Sequence, residues 1–90
     1  MIKLTEAMNT YNPALHTLKE MGYDIFVVID DYEGTEFPRW KAQKENVIVT
    51  GFNPLSLLGL VILIDKYGQN WREYNKIDLY DEIFSKSQIL

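Results

Sequence analysis

A chain of 90 residues, 47% apolar and 24% charged, suits one small domain and is too poor in charge to be disordered. With no cysteine it has no disulfide framework, thiolate nucleophile or cysteine-based zinc site, which fits a reducing cytoplasmic setting. A net charge of −4 argues against a nucleic-acid surface. The apolar run over residues 57–64 falls far short of the roughly 20 residues that span a bilayer.

The first residues, MIKLTEAMNT, lack the apolar stretch of a secretory signal. Leu4, Met8, Tyr11, Leu15 and Leu18 then recur at alternating four- and three-residue spacing, a helical stripe. Pro13 interrupts it, at a cost of about 3 kcal/mol if it stands in mid-helix. Asn12-Pro13 has the chemistry of a helix start, which predicts a helix over residues 13–21 closed by Gly22. Residues 5–10 are then a short separate turn, or the stripe is one kinked helix.

The stretch YDIFVVID, residues 23–30, is rich in β-branched and aromatic residues and reads as a strand. Both of its faces carry apolar groups. Polar residues 31–36, with Gly34 among them, read as a hairpin connection. Residues 37–44 alternate, with Trp40 and Ala42 on one face and Arg39, Lys41 and Gln43 on the other, the pattern of a half-buried strand. Lys44-Glu45-Asn46 makes a tight turn into a third strand over residues 47–50.

Gly51-Phe52 leads into the stretch around which the chain is built, NPLSLLGLVILIDKYG. Asn53 caps a helix, Pro54 suits its first position, and Gly68 closes it. This helix over residues 54–67 has no polar face and is expected to be covered on several sides. Trp71 and Tyr74 follow as aromatics, Trp71 for packing and Tyr74 for packing or contact. Asp78 caps a last helix through Phe84, with Asp81 and Glu82 in its first turn, and the tail from Ser85 is expected to fray.

Short connections make the strands an antiparallel meander, so the expected fold is a single α+β domain over residues 1–90. Its order is α-β-β-β-α-α, with the helices packed on one face. That face takes Trp40 and Ala42. The other shows Arg39 and Lys41 beside Phe26, Val28 and Ile48, an apolar area that needs a cover or a partner.

The stretch from Asp30 to Glu36 holds Asp30, Asp31, Glu33 and Glu36 and is the most chemical-looking in the chain. Oxygen-rich loops bind divalent cations, but Gly34 in the EF-hand glycine position would make Ile29 the first ligand. Solvated carboxylates at a hairpin tip also have no cause to shift their pKa for acid–base work. His16 and Glu20 share a helix face, yet two ligands do not make a metal site. One histidine and no cysteine disfavour a nucleophilic triad, and neither Gly51 nor Gly59 meets a phosphate-loop spacing.

Arg39, Trp40 and Lys41 join base to aromatic as an RNA binder would, but strand alternation sends Trp40 to the opposite face. The helix–three-strand–helix order resembles that of the double-stranded-RNA-binding domain. The basic cluster that family places at its second helix is here Asn53-Pro54-Leu55-Ser56, which excludes the reading. The expectation is therefore a non-enzymatic protein–protein interaction module, without cofactor, nucleic acid or membrane as partner. Its expected surface is Phe26, Val28, Asp30, Asp31, Glu33, Glu36, Arg39, Lys41, Ile48 and Tyr74. That surface would form a homodimer, or meet a basic protein as an inhibitor or immunity-type protein would. The other class is a small metal-dependent enzyme using the acidic loop, residues 30–36.

Overall fold

The computed structural model describes residues 1–32, 35–76 and 78–87, with the side chains of 30–32 and 35–37 left aside. After a 3-10 turn at Met8–Thr10, helix α1 spans Tyr11–Glu20. Strands β1 (Asp24–Tyr32), β2 (Thr35–Lys44) and β3 (Val47–Gly51) follow. Helix α2 is Pro54–Tyr67, α3 the single turn Trp71–Tyr74, and α4 is Leu79–Ser87. The strands form one antiparallel sheet in the order β1-β2-β3. The fold is α+β, with α1 and α2 side by side on one face.

Helix α1 starts at Tyr11, two residues before Pro13, which corrects the expected cap at Asn12. Thr10 holds the cap position without a side-chain cap bond, and its hydroxyl donates back to the Ala7 carbonyl instead. Pro13 is thus third in the helix, in the first turn, where a missing N–H has no intrahelical acceptor to lose. Leu4 and Met8 are exposed, so the stripe does not continue as one helix. The other end follows expectation. Gly22, at φ +91°, donates to the Lys19 carbonyl, and Tyr23 N–H donates to Leu18, the paired bonds of a Schellman closure. Leu18 and Tyr23 then meet in the core.

The start of α2 also follows the sequence. Ser56 N–H donates to the Asn53 side chain at 2.8 Å, Pro54 is the first helical residue, and Gly68 N–H donates to the Ile64 carbonyl. Gly51 brings this helix close to the sheet: a Cβ there would stand 3.1 Å from the Leu57 amide nitrogen. Leu57 and Val61 then bury fully against Ala42 and Val49, with Trp40, Ile25 and Ile64 packed around them.

Two expectations need correction. Residues 31–36 are not all loop, because the β1–β2 ladder continues through Asp31–Glu36 to Tyr32–Thr35. An antiparallel partner supplies each strand's hydrogen bonds whatever its side-chain polarity, so polar composition alone did not end the strands. Nor does the last helix fray at Ser85. It reaches Ser87, with Asp81 N–H on the Asp78 carboxylate and Lys86 3.0 Å from Glu82 one turn back.

β3 pairs with β2 only from Trp40 to Lys44. Beyond Trp40, β1 and β2 continue as a two-stranded ribbon. On the helix side, Val27 at the base of that ribbon and Ile29 within it are 50% and 61% exposed. The large apolar side chains of α4 are likewise exposed. The radius of gyration, 15.8 Å, therefore exceeds the ~12 Å of a compact chain of this length.

At the end of α2, Tyr23 Oη donates to Asp65 Oδ1 at 3.2 Å. Lys44 Nζ stands over the Tyr23 ring and donates to the Met21 carbonyl at 2.8 Å. One tyrosine thus links the close of α1, the start of β1, the end of β2 and α2. Burial, then the bond to Asp65, raises its pKa above the ordinary value. A phenol shifted that way stabilises the fold fully below about pH 10 and ceases to do so as pH rises through its folded value.

Two outcomes are expected. Asn53→Ala lowers stability by about 1 kcal/mol in urea denaturation, since the first turn of α2 loses its cap. Above about pH 10 the wild-type melting temperature falls, and in Tyr23→Phe it falls less steeply, because the late-titrating phenol is gone. Absorbance titration at 295 nm identifies that group among the six tyrosines.

Candidate interaction surface

Register fixes the outer face of the sheet. Phe26 stands opposite Lys41, Val28 opposite Arg39, and Ile48 opposite Gln43. Side chains alternate along each strand, so these residues share the face turned away from α1 and α2. Phe26, Val28 and Ile48 are 47%, 41% and 58% exposed. Arg39 is exposed and Lys41 half-buried between the apolar flanks. The apolar and basic residues expected together on this face do share it.

The acidic part divides. Asp30 pairs in the ladder with Phe37, and Asp31 with Glu36. The side chains of Asp30, Asp31 and Glu36, and all of Glu33, lie outside the described residues, so the expected acidic rim does too. Tyr74 does not join the surface. Its ring lies 4.3 Å from that of Tyr67, at the end of the helix that covers the opposite face. This places it by packing against α2, which spacing along the chain could not reveal.

A second apolar area went unread in the sequence. Helix α2 packs α1 on one flank and β2 and β3 beneath it, while Leu60, Ile62 and Leu63 stay 39%, 49% and 47% exposed. The expected cover on several sides is thus absent along one flank. Leu60, Leu63 and Ile64 line a groove of about 330 Å³ with Ile48, Val49 and Thr50, and Trp71 stands at one end. Trp71 is 42% exposed there, only partly packed. The signal was available in principle: an all-apolar helix beside an edge strand needs more cover than so short a chain supplies.

His16 and Glu20 are both exposed on α1, as a surface pair. Among the described residues, no three His, Asp or Glu side chains gather where they could hold a metal ion. Among the same residues, no helix is long and apolar enough to cross a membrane. Comparisons with protein-family models, with curated proteins and with solved structures found no match to the chain.

Core and surface apolar residues should separate in stability measurements. Leu57→Ala, at a fully buried position, is expected to cost about 2–5 kcal/mol. Ile48→Thr keeps a β-branched side chain on the outer face and is expected to cost about 0.5 kcal/mol or less. Chemical denaturation of the two variants checks the contrast.

Proposed function

We propose that this protein is a non-enzymatic interaction module that presents the outer face of its sheet to a partner protein. One observation carries the reading: Phe26, Val28 and Ile48 form an uncovered apolar field around Arg39 and Lys41. Apolar area of that kind is stabilised when removed from water, by about 25 cal/mol per Å². The cations at its centre give it orientation and choice among partners. The β1–β2 ribbon extends the field past the end of β3, where a partner can reach both of its sides.

A second reading is favoured by the four acids within residues 30–36 and the net charge of −4. Here the protein is an inhibitor or immunity-type protein steered to a basic partner, with association slowing as salt rises. A metal-dependent activity of the acidic stretch is the competing class. Saturable amide shifts confined to residues 30–36 on adding calcium, magnesium or zinc would favour it.

Photocrosslinking in the native host tests the main reading. With p-benzoylphenylalanine in place of Phe26, a discrete protein adduct is expected. The same group at exposed Glu20 on α1 is expected to give none. Absence of any adduct from both Phe26 and Val28 would overturn the proposal.

A further inference from the structure

We propose that the free edge of β3, with the α2 flank beside it, is the docking site of a second copy of this chain. This surface adjoins the outer face at Ile48 but is the strand edge and helix flank rather than that face, and the proposal stands or fails separately from the function given above.

The sheet has two edges, and they differ. β1 includes Asp24, Asp30 and Asp31, and Pro38 stands in the part of β2 that outruns β3; charges and prolines are the residues that discourage edge pairing. β3 reads VIVTG, with neither charge nor proline, and its ladder with β2 runs without a bulge. Among the described residues, no strand pairs with its other side. Directly above that open side lies the uncovered flank of α2, and the two line one apolar groove.

Charge selects the occupant. No residue from 46 to 64 is charged, a run of 19 that contains both β3 and most of α2. An acidic or basic partner finds no counter-charge in this run and would bury its own charges unpaired. A second copy brings the same uncharged surface.

Geometry is compatible with a two-fold axis. Residues opposite one another in an antiparallel pair point to the same face. A register centred on Val49 pairs all five residues of β3, sets Ile48 against Thr50 of the second copy, and keeps both α2 helices on one face. Since α2 lies over β2 and β3, its axis falls about one strand spacing, ~4.8 Å, from the two-fold. The two helices then stand about 10 Å apart, at packing distance. Ser56, Leu60 and Leu63, which follow one another at helical spacing, meet across the axis.

Area is sufficient. The chain exposes 7869 Å², against about 5,500 Å² for a compact monomer of 10.6 kDa. The excess of about 2,400 Å² includes the ribbon and α4, yet far exceeds the roughly 800 Å² each partner gives to a standard interface.

Sedimentation velocity across a concentration range, with charge variants and cross-linking, tests this. The wild type is expected to be dimeric. Leu63→Arg is expected to raise the dimer Kd about 30-fold or more while far-UV circular dichroism stays unchanged. Phe26→Arg, on the outer face, is expected to leave the dimer intact. Because the chain has no native cysteine, I48C and T50C chains can be mixed and mildly oxidised. Cα atoms about 4.5–5.5 Å apart then allow an interchain disulfide. A strict monomer overturns the proposal, as does a dimer that survives Leu63→Arg and yields no I48C–T50C disulfide. A dimer lost in Phe26→Arg alone would overturn it too, while keeping the outer face as a contact surface.

Discussion

The contact of Leu57 and Val61 with Ala42 and Val49 organises this molecule. It depends on small residues beneath a helix of large ones. Ala42 is fully buried on β2, the middle strand, and Gly51 leaves no side chain between the end of β3 and the first turn of α2. A larger residue at either place would lift the helix from the sheet. Full burial of Leu57 and Val61 is worth about 1.5–3 kcal/mol each, a large share of what so small a core can supply. Among the described residues, the other buried apolar side chains are Ala14 and Leu18 of α1 and Tyr23 just before β1. Leu18 and Tyr23 join the same cluster as this contact.

A core this small leaves apolar surface elsewhere, and the topology decides where. Helix α1 occupies the β1 side of α2, so the uncovered flank of α2 faces the β3 edge. β3 stops at Gly51 while β1 and β2 continue, so the ribbon is exposed on both sides. The outer sheet face has no helix among the packed elements. These three areas differ in chemistry. The outer face carries cations, the ribbon approaches the acidic stretch, and the groove beside β3 is uncharged. Electrostatics would therefore suit them to different partners, although burial of apolar area would drive each association in the same way.

Much of this was legible in the sequence, because local rules and tertiary structure agreed. Asn53-Pro54 caps α2 by the mechanism its residue types imply, and the period-two pattern around Trp40 and Ala42 fixes which face is buried. Given that pattern, antiparallel register carries Phe26, Val28, Arg39, Lys41 and Ile48 together onto the other face. The failures have physical causes. Asn12-Pro13 repeats the residues of the α2 cap, but proline is tolerated anywhere in a first turn, so the pair could not fix the boundary. Residues 31–36 looked like loop by polarity, whereas ladder pairing is a backbone property. Tyr74 is an aromatic after the core helix, which suits packing or contact alike, and the course of α3 sets it against Tyr67. The most consequential omission was the α2 flank: a run of apolar residues states that cover is required but not whether the chain supplies it.

An uncharged edge strand beneath an uncovered helix flank is hazardous on a solitary chain, since it invites pairing without limit. Two-fold pairing would remove the hazard, because each copy would use its uncharged edge on the other. The edges left at the ends of a joined sheet are both β1, the strand that includes Asp24, Asp30 and Asp31. Further copies would meet like charges there. The same arrangement would set two outer faces, each with Phe26, Val28, Arg39 and Lys41, side by side on one continuous surface. Partner binding would then gain from two linked contacts, provided the partner's own sites match their spacing. Closing the edge and displaying the outer face are compatible because side chains on successive residues of a strand point to opposite faces, while the hydrogen bonds lie in the plane between them.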